Sequence, residues 1–358
     1  MSNVRAMTPT PFSRAPYFIG LAILLFIAVV GLFIVKWNPY YHKALLIMVS
    51  HSLGASIVSG TGRAAPAPSL AAALSYGEAY FLAIWQALVL GLLVATTIET
   101  LLPRAWLAHV LGSRAFHATA LGGVIALPGM MCTCCSAPVV VGMRKNGVSI
   151  GAALAFWLGS PTLNPATLFF ILFAFSWKWA LLRLIVGAVL VFGVAGIAGR
   201  LFTKENVPIA DLSALEVAPP PPAGSLVVRW FQTLARLTVG LLPEYLIIVL
   251  VLGAARAWLF PATSLAAGNS LLVIVSLAIA GTLFVIPTAG EVPIVQTMLH
   301  YGIGVGPAAA LLMTLAPVSA PSGAMVWSVF PKRVLAFVGG AIVVAGILSA
   351  LIALALGF

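Results

Sequence analysis

Three cysteines fall within four residues, Cys132-Thr133-Cys134-Cys135, and two thioethers, Met130 and Met131, precede them. Thiolate and thioether ligands favour soft partners: Cu(I) among metals, and by the same argument trivalent arsenic. No second CxxC and no neighbouring histidine completes a four-ligand set, so neither a structural zinc nor any resident metal or cofactor is expected. A disulfide framework would need even numbers of cysteines spread along the chain. The plain alternative is three small apolar core residues. Against it, the cluster sits in a turn broken by Pro128, Gly129 and Pro138. Cys132, Cys134, Cys135 and Met131 are therefore candidate substrate contacts.

Glu291 lies between Pro287 and Pro293 in an apolar stretch. An ionisable group at membrane depth is costly, and by default it marks function. Glu291 is the candidate for a coupling proton or a substrate contact; the alternative is a carboxylate hydrogen-bonded to freed backbone. Glu99 is a second coupling candidate, although it and Glu244 lie nearer span ends, where an interfacial place is as good a reading. Ser160, Thr162 and Asn164, with Ser319 and Ser322 in the later stretch, can satisfy backbone groups that the prolines free. They could also line a substrate cavity. His300, at a loop tip, is expected in solvent.

The elements that must hold these residues are membrane helices. The chain has 358 residues, 62% hydrophobic and 7% charged, against roughly a quarter charged in a soluble domain. Its mean hydropathy is +1.15. That leaves room for roughly eight to ten spans of about 20 residues. The net charge of +11 could suggest nucleic acid, but Lys and Arg stand singly at the ends of apolar runs, as snorkelling anchors and topology signals. No nucleic-acid partner follows, and no hydrolase, Walker or dinucleotide pattern appears. The chain is not expected to be an enzyme.

In chain order, residues 1–77 comprise a basic start, an uncleaved span over 17–35 closed by Lys36 and Trp37 at the interface, and a segment that lies on or dips into the membrane. Residues 78–202 form a first half with spans at 78–102 and 177–200. Between those spans, apolar segments break at Pro128, Pro138, Pro161 and Pro165. Residues 203–226, with the Pro219–Pro222 run, read as a solvated, extended linker. Residues 227–358 form a second half, opening on an amphipathic interfacial stretch. Spans at 241–260 and 271–286 follow, then breaks at Pro287, Pro293, Pro317 and Pro321, and a last span over 334–358.

The second half repeats the first. Pro128 and Pro138 answer to Pro287 and Pro293, and Gly147 and Gly151 to Gly302 and Gly306. Pro161-x-x-x-Pro165 answers to Pro317-x-x-x-Pro321 after one inserted residue, and Arg104-Ala-Trp-Leu recurs from Arg256. Duplicated halves with broken helices at matching places point to a transporter whose site lies near the midplane between them. The copies differ where chemistry would sit: sulfur in the first, Glu291 in the second.

The stretch 127–165, with Cys132, Cys134 and Pro138, then Gly147, Gly151, Pro161, Asn164 and Pro165, resembles the signature of the YraQ/ArsP-type predicted permease family. Pro287, Glu291, Pro293, Gly302 and Gly306 resemble its second element, and the helix carrying Glu99 its first long helix. The resemblance covers about 78–200 and 240–358 and omits the N-terminal segment. It implies an inner-membrane permease; the family's characterised branch exports trivalent organoarsenicals such as methylarsenite. Cys132 and Cys134 match the paired cysteines and Asn164 the asparagine. The chain has PGMMCTC where the family commonly has PFCSC, and Cys135 replaces a small residue.

The expectation is an all-α, polytopic bacterial inner-membrane permease of two repeats, in contact with the lipid bilayer and a small-molecule substrate. It would export a soft, thiol-reactive solute, organoarsenicals first, by a gradient with proton coupling carried by Glu291 and Glu99. A homo-oligomer is compatible with this reading. Alternatives are a permease for a metal ion or sulfur compound, and a membrane thiol oxidoreductase.

Overall fold

The computed structural model describes residues 15–59, 65–113, 116–202, 225–261 and 268–358. The expected linker at 203–226 lies, but for its last two residues, outside them. Among the described residues the chain is helical throughout, about 80% by residue, with no strands. Its apolar composition leaves helices as the way to satisfy backbone polar groups away from water.

The first half contains α1 (Ala15–Leu32), a wider π-helical turn at Phe33–Trp37, α2 (Asn38–Ser50), α3 (Leu70–Leu101), α4 (Arg104–Leu111) and α5 (Phe116–Ala126). After a tight turn at Leu127–Gly129 come α6 (Thr133–Lys145), α7 (Ile150–Thr162), α8 (Pro165–Ala174) and α9 (Trp177–Ala188). A second π-helical stretch, Val189–Val194, then leads into α10 (Ala195–Leu201). The second half contains α11 (Leu226–Leu259), α12 (Leu271–Leu283), α13 (Glu291–His300), α14 (Val305–Thr314), α15 (Ala320–Val326) and α16 (Lys332–Ala355).

Six helical stretches are long and apolar enough to cross a membrane: Gly20–Ser50, Leu70–Leu101, Ile150–Ala174, Trp177–Leu201, Leu226–Leu259 and Lys332–Ala355. The pair Arg104–Leu111 and Phe116–Gly129, bent by 107°, makes a seventh if taken as one broken span, and α12 and α14 are shorter apolar helices. This is a polytopic α-helical membrane protein.

Three boundaries differ from the sequence reading. The first helix does not stop at Lys36 and Trp37 but runs through them to Ser50. The span expected from residue 78 begins at Leu70, where Ser69 caps it by accepting from the Ala72 amide at 3.0 Å. The stretch after residue 226 is no separate interfacial helix but the start of α11, 34 residues long. At 1.5 Å per residue that is about 51 Å, against a hydrocarbon core of about 30 Å. One end of α11 must therefore stand clear of the hydrocarbon, which is why it carries polar residues.

Small residues set how closely the helices approach. A Cβ on Gly91 of α3 would lie 2.1 Å from the Cys135 carbonyl oxygen of α6, and one on Gly122 of α5 would lie 2.3 Å from that of Ala152 of α7. Such contacts replace the hydrophobic drive that helices lack in lipid. They also fix the cysteine-bearing helix against α3.

The hairpins α6–α7 and α13–α14 turn in the same way. Gly147 and Gly302 both take a left-handed backbone, with φ of +84° and +95°. The Val148 and Ile303 amides donate back to the Met143 and Met298 carbonyls at 3.2 and 3.0 Å. These are matching Schellman turns, for which glycine is the residue of choice.

Candidate functional site

The eight prolines do different jobs. Pro128 lies in the tight turn before α6, Pro165 is the first residue of α8, Pro287 and Pro317 lie in turns, and Pro321 is the second residue of α15. Pro161 is one residue from the end of α7. Pro138 and Pro293, expected as breaks, lie inside α6 and α13 and do not interrupt them. Pro293 falls in the first turn of its helix, where its missing N–H has no partner to lose. Pro138, further in, removes a ladder bond while the surrounding packing keeps the helix.

Polar side chains close the remaining ends. Asn164 caps α8, its Oδ1 accepting from the Ala166 and Thr167 amides at 3.0 and 3.3 Å. Ser319 and Ser322 form a capping box on α15, with the Ser319 amide donating to Ser322 Oγ at 3.1 Å. Ser160 Oγ accepts from the Met131 amide at 3.0 Å, tying α7 to the turn before the cysteines. Thr162 is buried and its hydroxyl has no partner among the described residues. By contrast, α6, opening at Cys132, and α13, opening at Gly290, have no side-chain cap.

These two uncapped helix starts face each other across a cavity of about 10 Å³, lined by Cys132, Thr133, Pro161, Thr288 and Glu291 among others. That volume is at the limit for one water molecule. Both halves build this cavity.

The sulfurs brought together are Cys132 and Cys135, 2.8 Å apart, one turn along α6; all three cysteines are free thiols and buried. Residues three apart share a helix face. Cys134, matched with Cys132 from sequence, points elsewhere, to Ser319 Oγ at 3.5 Å. The Cys134–Ser319–Thr133 cluster adjoins a half-open groove of about 460 Å³, lined by Glu244, Ser319, Trp157 and Trp327 among others. Met131 is buried but does not line the small cavity. Ser160 and Asn164 serve the backbone rather than the cavity, Thr162 lines neither space, and Ser319 reaches the groove while Ser322 does not.

Glu291 is 1% exposed and pairs with Arg183 at 3.2 Å. The same guanidinium donates to the carbonyls of Thr162 (2.9 Å), Pro161 (3.3 Å) and Leu312. Arg183 thus ties the end of α7 to the second half, including the carboxylate. Sequence reading took the basic residues as snorkelling anchors; the buried Arg183, Lys36 and Arg256 overturn that for three of them. A lone arginine inside an apolar run was the available signal. Glu99 lies apart from the cavity in an ion cluster, against Arg236 and with Lys145 at 3.9 Å.

The N-terminal helix completes the site. Lys36 Nζ donates to Thr288 Oγ1 at 3.0 Å, and Trp37 Nε1 to the Pro128 carbonyl at 2.9 Å. One helix turn therefore touches a break in each half. This turn is π-helical, a distortion often found at functional sites.

Broken helices from two halves, meeting around a buried sulfur pair and a buried carboxylate in a helical membrane protein, define a permease-type architecture. The comparisons with known proteins agree, and the chain belongs to the ArsP-type family described as "Predicted permease", whose model matches residues 69–354. It is 45% identical over 347 residues to the UPF0718 protein YraQ of Escherichia coli strain K12, covering 97% of this chain and 96% of that protein. It is 22% identical over 321 residues to the UPF0718 protein MJ0584 of Methanocaldococcus jannaschii, covering 71% and 87%. No solved structure matches. The family match begins at residue 69, after Lys36, whereas the likeness to YraQ covers nearly the whole chain.

Proposed function

We propose that this multi-pass membrane permease exports a small, soft, thiol-reactive solute across a bacterial inner membrane, with trivalent organoarsenicals of the methylarsenite type as the first candidates. The observation that carries the reading is the Cys132–Cys135 sulfur pair, 2.8 Å apart, with Cys132 lining the small cavity. A dihydroxy organoarsenical condenses with two thiols, forming two As–S bonds and releasing two waters. Such exchange is reversible, as a carrier needs, and requires no oxidant. Cys134, beside the groove, is a natural entry thiol, passing the solute to Cys132 by further exchange.

The two halves act as repeats around this site, as the matched Schellman turns support. Glu291 is the coupling carboxylate: protonation would loosen its hold on Arg183 and, through Arg183, on the carbonyls of Pro161, Thr162 and Leu312. Energy comes from the proton gradient.

The test is methylarsenite uptake into everted vesicles under an imposed proton gradient, comparing wild type with Cys132→Ser, Cys135→Ser, Cys134→Ser and Glu291→Gln. The expected result is gradient-dependent accumulation lost in the Cys132 and Cys135 variants and slowed in the Cys134 variant. Glu291→Gln should uncouple uptake from the gradient. Wild-type uptake no better than empty vesicles, with folded protein present, would overturn the arsenical assignment.

A further inference from the structure

Two buried phenols stand beside a buried thiol with their hydroxyls unused. Tyr80 of α3 is 1% exposed and Tyr245 of α11 0%, with ring centroids 6.3 Å apart. Tyr76, one turn before Tyr80, donates its hydroxyl to the Val285 carbonyl. The Tyr80 and Tyr245 hydroxyls have no hydrogen-bond partner among the described residues. The Tyr80 hydroxyl approaches the Cys134 thiol and the Tyr245 hydroxyl, without the geometry of a hydrogen bond to either. Burying a hydroxyl unpaired is destabilising, and phenylalanine would fill the same volume without that loss. An orphaned buried hydroxyl calls for a partner from outside the chain, and here two converge on one thiol.

Cys134 also stands between the two spaces of the site. Its Sγ is 3.5 Å from the hydroxyl of Ser319, a residue that lines the half-open groove of about 460 Å³. It is 3.9 Å from the hydroxyl of Thr133, which lines the small cavity with Cys132. The Ser319 and Thr133 hydroxyls are themselves 3.3 Å apart. Both halves supply these groups: α3 and α6 from the first, α11 and the cap of α15 from the second.

We infer that Cys134, Tyr80 and Tyr245 form a one-thiol station between the groove and the Cys132–Cys135 pair, selective for a neutral thiophilic solute that carries hydroxyl groups. There a dihydroxy arsenical exchanges one hydroxyl for the Cys134 sulfur. An As–S bond forms, an As–O bond breaks, and the thiol proton leaves with the hydroxide as water. Arsenic stays trivalent throughout. The phenols donate to the solute's oxygens, one holding the hydroxyl that departs and the other the one that stays. A soft metal ion brings no hydroxyl of its own, so the station favours the hydroxylated class. This rests on the export reading and adds Tyr80 and Tyr245 to it as substrate-binding residues.

The experiment uses the full-length protein in nanodiscs with Cys132→Ser and Cys135→Ser, so that Cys134 alone reports. Neutral methyl methanethiosulfonate labels it, with phenylarsenoxide (a neutral dihydroxy arsenical when hydrated) or silver ion as protectant. Tyr80→Phe and Tyr245→Phe should each raise the half-protecting concentration of phenylarsenoxide by about tenfold, the worth of one hydrogen bond in a buried site. Silver protection and the unprotected labelling rate should stay within about threefold, since neither uses the phenols. No phenylarsenoxide protection before the tyrosines are changed, or unchanged protection in folded Phe variants, would overturn the inference. So would an equal rise for silver, which would mean that the tyrosines only shape access to the thiol. A companion protein with Cys134→Ser reports the pair alone. If phenylarsenoxide protects the pair while Cys134 ignores the tyrosines, the station falls and the export reading stands. If it protects Cys134 through the tyrosines but not the pair, the station stands and export through the sulfur pair falls.

Discussion

Replacing Arg183 by methionine removes a cation that is 1% exposed and strands Glu291, itself 1% exposed. Breaking a buried pair by deleting one partner costs roughly 3–5 kcal/mol, most of it from the charge left behind. Arg183 also donates to the carbonyls of Thr162, Pro161 and Leu312. Hydrogen bonds to a charged group contribute about 1.5–3 kcal/mol each, though not additively, so the loss belongs at the upper end of that range. Glu291→Gln keeps an acceptor beside Arg183 and leaves its three carbonyls in place, and should cost about half as much. The double variant Arg183→Met/Glu291→Gln has no uncompensated charge. It should be more stable than Arg183→Met alone, with a coupling of about 2 kcal/mol, within the range seen for contacting residues. The assay is unfolding of the detergent-solubilised protein followed by tryptophan fluorescence, as a double-mutant cycle. A single Arg183→Met change within about 0.5 kcal/mol of wild type, or a cycle that adds without coupling, would refute the bridging geometry.

Other predictions follow from contacts already described. Gly91→Val places a Cβ 2.1 Å from the Cys135 carbonyl; it should destabilise by about 2 kcal/mol or more by forcing α3 from α6, read by the same unfolding assay and by faster labelling of Cys135. Asn164→Ala should lose about 1 kcal/mol as a helix cap, and Asn164→Asp should recover most of it. Arg236→Ala, breaking the half-exposed ion cluster at Glu99, should change stability by no more than about 1 kcal/mol, less at high salt. Glu99→Gln should leave vesicle uptake intact; its loss would restore Glu99 to the coupling machinery.

The sequence made the breaks legible because proline and glycine act locally. Pro128, Pro165, Pro287 and Pro317 fall in turns or at helix starts, and Gly147 and Gly302, matched between the halves, both take the left-handed backbone. Asn164 and the Ser319–Ser322 pair were readable for the same reason: a cap depends on neighbours a few residues away. Side-chain direction was not. Cys132 pairs with Cys135 rather than Cys134 because α6 begins at Thr133, and a shift of one residue in that start would turn a different sulfur inward. The depth of Lys36 and Arg183 had only a weak signal, because a lone basic residue in an apolar helix looks the same whether it reaches lipid headgroups or another helix. Only tertiary packing distinguishes the two.

The matched hairpin turns bear on how the chain enters its membrane. Helices α13 and α14 have 10 residues each, about 15 Å of rise, half the thickness of the hydrocarbon layer. Neither arm can be handed to lipid as a finished crossing, since its open end would expose bare amides and carbonyls to hydrocarbon. The arms must wait until the helices they pack on, α8, α9, α12 and α16, have made a protein-lined berth, and then fold into it as a preformed hairpin pinned by its own glycine. Biogenesis of this protein therefore runs in two waves, long helices first and half-helices second. A ribosome stalled before α16 would leave the second hairpin without one wall of its berth and open to protease.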